Sequence, residues 1–285
     1  MEDTLQSKVE KIITLVEGLS TKTTPTSTTP TIPTLVYFDV IGIAWPIRCL
    51  LHLHNIDYNF IAISIQQWTY KSANGHQPLK SAFNNGHVPL YIDQGVNLNQ
   101  SNLILIYLAQ QTRMMGDNKT EALAIESVLL HCYDAVFHSN GLLSVNITIN
   151  IPAQVVQARL DAFMGQGDWG LVTNGYHNHL NAFVKLLEAN ELKSGFMVGS
   201  RLSVADLSAF NILCNWYKAF DKEVFLKEFP ILDTYIQRIA LIPGISDYIR
   251  NKQEATTWFD LPSIALKLTS SKELEGLVGL SAEHG

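Results

Sequence analysis

The chain is poor in charge and in long apolar runs. Only 16% of its 285 residues are charged and its formal net charge is −6, so it lacks the basic stripe of a nucleic-acid-binding protein. No apolar stretch reaches the roughly 20 residues that a membrane helix needs. The hydrophobic content of 47% still allows a sizeable core and excludes disorder throughout. We expect neither nucleic acid nor a membrane as a partner.

Cysteine is also scarce, and the three that occur, Cys49, Cys132 and Cys214, cannot all pair with one another. All three have apolar sequence neighbours, as expected of reduced thiols that act as small core residues. The N-terminus carries Glu2 and Asp3 and lacks the features of a secretory signal or a transit peptide. These features favour a cytoplasmic protein.

Residues 1–33 form a separate N-terminal segment. Apolar residues recur at alternating spacings of four and three up to about residue 20, which predicts one face of a helix. They are Leu5, Val9, Ile12, Val16 and Leu19. The Thr- and Pro-rich residues 21–33 are typical of a linker. The helix could form a short coiled-coil seam or dock on its own domain, and the sequence leaves both open.

Residues 34–112 alternate between strand and helix patterns. Strands are predicted at 35–38 and 58–65, with a helix that opens at Trp45-Pro46 between them, because proline suits the first helical turn. A polar segment, a strand pair with an Asp-Gln-Gly turn, and a second helix follow. This order predicts an α+β domain of the thioredoxin type.

Residues 118–252 carry apolar residues at helical spacing in four long segments, which predicts an all-α domain. The segments are 120–145, 171–190, 204–220 and 230–242. Ser203 and Asp206 have the spacing of a capping box and are interpreted as structural rather than catalytic. Residues 253–285 form a C-terminal tail without an assigned role.

The stretch from Gly86 to Ser101 carries the first indication of function. Pro89 stands where a strand begins, a position that tolerates the missing N–H, and the bond before it can be cis. Ser101 is a good N-cap, and free N–H groups at a helix start attract a carboxylate or phosphate. The combination predicts a site for a small peptide-like anion.

Three motifs, taken in this order, resemble the cytosolic glutathione transferases. Residues 35–48 resemble the start of the tyrosine-type classes, most closely the sigma class. Residues 86–89 and 100–101 resemble the peptide-binding elements of that family, and residues 198–207 resemble the capping box of its helical domain. The resemblance spans roughly residues 34–250 and implies the glutathione transferase fold, a thioredoxin-like domain followed by an all-α domain.

The resemblance gives Tyr37 the catalytic role of stabilising the glutathione thiolate. A free thiol has a pKa of about 8.5 and is mostly protonated at neutral pH. A phenol O–H donated to the thiolate favours the charged form, and lowering the pKa by one to two units requires only about 1.4 to 3 kcal/mol. One well-aimed hydrogen bond can therefore suffice.

The remaining glutathione contacts are also implied by the resemblance. Gln100 and Ser101 would hold the γ-glutamyl end, Val88 would pair its backbone with the cysteinyl part, and Trp68 and Lys71 would contact the glycine carboxylate. The predicted glutathione-binding residues are Tyr37, Trp68, Lys71, Gly86, His87, Val88, Pro89, Gln100 and Ser101.

Two departures from the family pattern are visible. The family usually has an arginine at the position of Ile43, so a cation that supports the thiolate is replaced by an apolar residue. Either another group substitutes for it or activity is lower. The stretch between Trp68 and Gly86 is also longer than usual in the family, which puts the glycine-end contacts in doubt.

His131, Tyr133 and Phe137 lie on the first long helix of the all-α domain and are candidates to line a pocket for the electrophile. Plain helix packing is the alternative explanation for these three residues. His52 and His54 have no cysteine or acidic partner at metal spacing, so we predict no metal site. The resemblance implies glutathione as a co-substrate and no further cofactor.

The sequence therefore predicts a homodimeric, cytoplasmic glutathione transferase that conjugates glutathione to small apolar electrophiles. One alternative is a glutathione-dependent isomerase that uses the same thiolate. Another is a non-catalytic structural or interaction protein that kept the fold. Ile43 and the longer stretch favour the non-catalytic alternative, whereas Tyr37, Gln100 and Ser101 favour an enzyme.

Overall fold

The computed structural model of the chain describes residues 4–20, 32–83, 85–143, 175–219 and 227–251 and a few positions between 158 and 165. It separates into two compact units, residues 1–107 and 108–285. The division falls within one helix, and each unit is described by itself below.

The first unit is built on a four-stranded mixed sheet with the strand order β2-β1-β3-β4. Strands β1 and β2 are parallel, and the other two pairs are antiparallel. Gln94 and Gly95 both have positive φ, of 43° and 86°, and form the predicted tight turn between β3 and β4. In chain order the elements are α1 (Leu5–Ser20), β1 (Thr34–Phe38), α2 (Trp45–Leu53), β2 (Asn59–Ile63), α3 (Ile65–Thr69), α4 (Pro78–Ser81), β3 (Leu90–Asp93), β4 (Val96–Asn99) and α5 (Ser101–Thr112).

The two faces of the sheet separate a packing surface from the residue predicted to be catalytic. Val36 of β1 pairs with Leu90 of β3, and both belong to a buried apolar cluster that also includes Val9 and Val16 of α1. Because side chains alternate along a strand, Tyr37 points to the opposite face.

Helix α1 docks on its own unit rather than leaving its apolar seam open. Val9 and Val16 are fully buried, and Ile12 and Leu19 pack against the same cluster, while Leu5 stays 39% exposed. The helix contacts α3 and α4. The intramolecular alternative is therefore the one that the structure shows.

Where β2 ends and α3 begins differs from the sequence prediction. A strand is predicted up to residue 65, but β2 ends at Ile63 because Ser64 caps α3. The Ser64 hydroxyl accepts the Gln67 N–H at 3.1 Å, and the Gln67 side chain accepts the Ser64 N–H at 2.7 Å. This reciprocal pair is a capping box.

In the described part of the second unit, every regular element is a helix. Asn118 caps α6, since its side-chain oxygen accepts the Glu121 N–H at 3.0 Å, while Glu121 accepts the Asp117 N–H at 2.8 Å. The helices are α6 (Lys119–Leu143), α7 (Gly175–Ala189), α8 (Val204–Ala219), α9 (Pro230–Ala240) and α10 (Pro243–Asn251). The sequence pattern missed α10. Part of the segment predicted at 171–190 and the tail at 253–285 lie outside the described residues.

The predicted capping box at the start of α8 forms, with one changed hydrogen bond. The Ser203 N–H donates to the Asp206 carboxylate at 2.9 Å, as expected. The Ser203 hydroxyl also donates to this carboxylate, at 2.9 Å, instead of accepting the Asp206 N–H. Met197 N–H and the Tyr235 hydroxyl are further donors to Asp206, so the buried charge is well partnered.

None of the helices in the described residues is both long enough and apolar enough to span a bilayer.

Candidate active site

Tyr37, near the end of β1, is almost completely buried, with 3% of its surface exposed. Burial raises the pKa of its phenol well above the usual range, although a hydrogen bond from the backbone of Ile43 and the charge of Arg48 act against this shift. The hydroxyl therefore keeps its proton at neutral pH. A protonated, desolvated phenol can donate a strong hydrogen bond to an anion.

The loop after β1 closes over the Tyr37 ring. Gly42 has a φ of +48°, and a Cβ built there would lie 2.5 Å from the Tyr37 Oη and 2.7 Å from Cε1. The buried Arg48 guanidinium of α2 donates to the carbonyls of Val40 and Ile41 at 2.5 and 2.9 Å. Arg48 thus fixes the loop and brings a positive charge close to Tyr37.

The register of the sheet brings three of the predicted elements to one edge. Val36 pairs with Leu90, and Leu90 pairs with Asn99. The next residue beyond this row is Tyr37 in β1, Pro89 before β3 and Gln100 after β4. The order of the strands therefore places the predicted catalytic residue, proline loop and helix start side by side.

The proline loop has the conformation that the sequence allowed. The Val88–Pro89 peptide bond is cis. The Asn99 side chain donates to the carbonyl of His87 at 3.0 Å and to that of Pro89 at 3.4 Å, which ties the loop to β4. Val88 is half-buried against the α1 cluster, while its neighbour His87 is exposed.

At the other end of this loop, the backbone of Gly86 has a φ of +64°, a conformation that favours glycine. Its N–H donates to the carbonyl of Phe83 at 3.0 Å, which closes the turn into residues 87–89. The observed role of Gly86 is thus conformational, and a glutathione contact there stays a prediction.

Helix α5 begins at Ser101 as predicted, but Gln100 is the residue in the N-cap position. The Gln100 carbonyl accepts the first helical hydrogen bond, from the Ile104 N–H at 3.1 Å, so the expectation that Ser101 is the N-cap is wrong by one residue. Gln100 is exposed and has a φ of 75°, while Ser101 is buried, with 9% of its surface exposed. The side chain of Ser101 therefore stands in the first turn of α5 rather than at its N-cap.

Trp68 lies in α3 and is 7% exposed. Its ring makes edge contacts with Phe38 and Phe83, at centroid distances of 5.9 and 5.6 Å. The Lys80 ammonium of α4 lies 5.5 Å from the centroid of the Trp68 ring. Lys71, the predicted basic partner, is exposed in the segment between α3 and α4.

Lys80 is a candidate that sequence reasoning missed. It stands twelve positions after Trp68, in the stretch that is longer than usual in the family, so no periodic spacing connects the two residues. Lys80 is half-buried, and its ammonium is held over the indole by a cation–π contact. Only the folding of this stretch into α3 and α4 brings the two together.

The three residues predicted to line an electrophile pocket do not share one environment. His131 packs against His179 and Phe183 of α7, at centroid distances of 5.0 and 4.9 Å. Tyr133 and Phe137 stack on each other and are 50% and 66% exposed. The assignment of an electrophile pocket to these residues stays a prediction.

His131, His138 and His179 form a cluster inside the second unit. His138 Nδ1 lies 2.8 Å from His179 Nε2, and burial, together with the two neighbouring imidazoles, lowers the pKa of His179 to about 4. Among the described residues, no group of three or more His, Cys, Asp or Glu side chains has an arrangement that could hold a metal ion.

Comparison with known proteins identifies the family. The N-terminal domain of glutathione S-transferase matches residues 33–110, and the C-terminal domain matches residues 170–252, together more than half of the chain. The chain belongs to the glutathione S-transferase family. It is 26% identical over 235 residues to a glutathione S-transferase of Dermatophagoides pteronyssinus, covering 81% of this chain and 95% of the mite protein. It is 28% identical to glutathione S-transferase P 1 of Xenopus laevis, covering 78% of this chain and 95% of that one.

Solved structures of the family share the fold. The sigma class glutathione S-transferase of Fasciola hepatica superposes with a TM-score of 0.64 at 22% identity, covering 80% of this chain and 98% of that one. A glutathione S-transferase of Ascaris lumbricoides gives a TM-score of 0.64 at 21% identity, covering 79% and 99%. These similarities confirm the expected fold, a thioredoxin-like domain followed by a helical domain.

Proposed function

We propose that the protein is a glutathione transferase that activates the glutathione sulfur through Tyr37. One observation carries the proposal: the buried, protonated hydroxyl of Tyr37 belongs to the row of residues that also contains the cis-proline loop and the start of α5. A thiolate needs a donor in a dry site, and a peptide needs a backbone edge and an anion site. All three features occur at this edge.

The reaction follows from these groups. Glutathione releases its thiol proton to solvent, and the Tyr37 O–H donates a hydrogen bond to the resulting thiolate. The sulfur then forms a bond to an electrophilic carbon. In a substitution the leaving group departs with its electron pair, and in an addition the neighbouring atom takes up a proton from solvent. Tyr37 keeps its proton throughout and stabilises the charge.

Arg48 supplies electrostatic support that Ile43 cannot. Ile43 has only its backbone to offer, and that backbone hydrogen-bonds to the Tyr37 hydroxyl. The buried Arg48 charge acts on the same phenol from α2. In a desolvated site a cation favours an anion more strongly than it would in water. Arg48 is thus the group that substitutes for the usual arginine.

Glutathione would lie along this edge as an added strand. Gln100 and Ser101 would hold the γ-glutamyl carboxylate at the start of α5, and the backbone of Val88 would pair with the cysteinyl residue. Trp68 would contact the glycine end. We assign the cation for the glycine carboxylate to Lys80 rather than Lys71, because Lys80 is held beside Trp68.

The two alternatives make different demands on the site. An isomerase would use the same Tyr37 and the same thiolate, so only its substrate separates it from a conjugating enzyme. A non-catalytic protein would need no desolvated donor. The burial of Tyr37 beneath Gly42 and beside Arg48 favours an enzyme over the non-catalytic alternative.

We also propose a homodimer, and the surface of α6 supports it. Apolar residues recur every seven positions on this helix, at Leu123, Leu130 and Phe137, and each is more than half exposed. Tyr133, on the same helix, is 50% exposed. An apolar stripe of this kind is typical of a protein interface. Leu130→Glu should shift the mass measured by light scattering from dimer to monomer, whereas Lys185→Glu on α7 should not. A wild-type monomer would contradict the proposal.

Cys49, Cys132 and Cys214 are buried and form no disulfide, which is consistent with the cytoplasmic location that we propose.

Tyr37→Phe tests the central proposal. Loss of the donor should raise the pKa of the bound thiol and lower the conjugation rate by about 10²-fold or more, while glutathione affinity changes little. The measurements are the thiolate absorbance of bound glutathione against pH and the rate with a generic aromatic halide. Tyr91→Phe, which makes the same change in the neighbouring strand, is the control and should retain both the pKa of the bound thiol and the conjugation rate. Equal rates for Tyr37→Phe and wild type would refute the role of Tyr37.

A further inference from the structure

Helix α1 shares one apolar cluster with residues assigned above to the glutathione site. Val9 and Val16 are 0% and 1% exposed, and the cluster that buries them contains Trp68 and, at its margin, Val88. The N-terminal segment thus shares its core with Trp68, whereas Val88 lies only at the margin of that core.

The contacts of α1 concentrate on the two short helices between β2 and β3. It packs against both α3 and α4, and the Tyr70 hydroxyl, just after α3, donates to the Gln6 side chain at 3.2 Å. Leu79 of α4 is fully buried in the same cluster.

Helices α3 and α4 have five and four residues, far fewer than a helix needs to be stable alone in water. Their positions depend on tertiary packing, and α1 supplies a large part of it. Trp68 lies on α3 and Lys80 on α4, so the distance between the indole and the ammonium depends on how the two helices are held.

We propose that α1 is a positioning element for the glycine end of glutathione, with Val9 and Val16 as its positioning residues. By fixing α3 and α4, the helix keeps Trp68 and Lys80 in the arrangement that receives the glycine carboxylate. This inference rests on the proposed function. Tyr37 points to the opposite face of the sheet, so α1 controls affinity for the glycine end and leaves thiolate activation unchanged.

The experiment compares glutathione with γ-glutamylcysteine, which lacks the glycine, as ligands of the full chain. Titration calorimetry of wild type should show a preference for glutathione. In Val9→Ser/Val16→Ser the affinity for glutathione should fall about tenfold, the scale of one lost charge-assisted hydrogen bond, while affinity for γ-glutamylcysteine stays within about twofold. The rate at saturating glutathione and the pKa of the bound thiol should be retained.

Two matched variants separate docking from general damage. Leu15→Ser replaces an apolar residue of α1 that is 48% exposed and should retain the preference for glutathione. Val9→Ile/Val16→Ile keeps the apolar contact and should also retain the preference for glutathione. If the double serine variant does not fold, Val16→Ala alone removes part of the contact and should show a smaller loss in the same direction.

The outcomes distinguish the two proposals. A wild-type protein that binds neither ligand refutes the proposed function itself. A wild type that binds both ligands equally, or a serine variant that keeps the wild-type preference, overturns only the role of α1. Equal weakening of both ligands, or tighter binding of glutathione by the variant, overturns it as well.

Discussion

Tyr37 illustrates how a single side chain is tuned by its surroundings. Burial raises the pKa of its phenol, so the hydroxyl keeps its proton and can donate the hydrogen bond that we propose to the thiolate. The same burial would bring the thiolate into a poorly solvated place, where the hydroxyl and the nearby Arg48 charge are worth more than in water. Donor strength and anion stabilisation therefore have one origin.

Gly42 is the residue on which this arrangement depends most directly. Gly42→Ala would put a Cβ within 2.5 Å of the Tyr37 Oη at a φ of +48°. Because the hydroxyl must move, the conjugation rate should fall by about 10- to 100-fold, the cost of misplacing a catalytic group by roughly 1 Å. Steady-state kinetics at saturating glutathione measure this loss.

Gly95→Ala is the control for backbone strain alone. Gly95 also has a positive φ, of 86°, but a Cβ there meets nothing within 4 Å. The variant should lose about 1 kcal/mol of stability and keep its rate. If both variants lose rate to the same degree, contact with Tyr37 is not the cause.

At the scale of elements, capping of α5 and the proposed anion binding at its start fall to two different residues. Gln100 occupies the N-cap position, so the Ser101 hydroxyl is not required to begin the helix. Its position in the first turn leaves it available to an anion.

Ser101→Ala should therefore weaken glutathione binding by about 1–3 kcal/mol, as expected when a charged group loses a hydrogen bond, with little change in Tm. Ser203→Ala offers the reverse case, because the Ser203 hydroxyl donates to the buried Asp206 carboxylate. That variant should lower Tm and leave glutathione affinity unchanged. Calorimetric titration and thermal melts of both variants test the assignment, and a Ser101→Ala protein with a lower Tm and unchanged affinity contradicts it.

The elements that the sequence predicts well are those with a long apolar period or a distinctive turn. Helices α6 and α8 carry their own signal over many residues, and the turn at Gln94-Gly95 is specified locally. Helices α3 and α4 are too short for a periodic pattern, and α10 follows α9 so closely that its Pro243 was the only separate signal.

The same reasoning explains which parts of the site the sequence could predict. Tyr37, the proline loop and the α5 start lie on strands whose order and register follow from the alternation of elements. Lys80 depends on how a longer stretch packs beneath α1, a tertiary contact with no local signature. Arg48 lies within the motif that resembles the family, but the effect of its charge on Tyr37 depends on the conformation of residues 40–42.

For the molecule as a whole, the histidine cluster predicts acid sensitivity. The pKa of His179 falls from 6.5 to about 4 on folding, so the unfolded chain binds this proton in a range where the folded protein does not. Stability from this group is complete above pH 6.5 and is lost as the pH falls towards 4. Asp206 acts in the opposite sense, since burial raises its pKa from 3.8 to about 6, and protonation there favours the folded state.

Comparison of wild type with His179→Gln isolates the histidine contribution. At pH 7.5 the variant should be less stable, because it loses the contact with His138. As the pH falls from 6.5 to 4, the gap in the free energy of unfolding should narrow, since unfolding of wild type lets His179 take up a proton, and the variant has no titratable group at this position. Urea unfolding at several pH values measures the gap, and a constant gap would show that His179 does not control the pH response.

The docking of α1 has a consequence for how the protein behaves on dilution. A helix of 16 residues has marginal stability alone. The chain that joins α1 to β1 keeps it near the cluster on which it packs, at an effective concentration in the millimolar range. A single cut within residues 21–31 would turn this intramolecular contact into a bimolecular one. The affinity of the cleaved protein for glutathione would then depend on how concentrated the protein itself is.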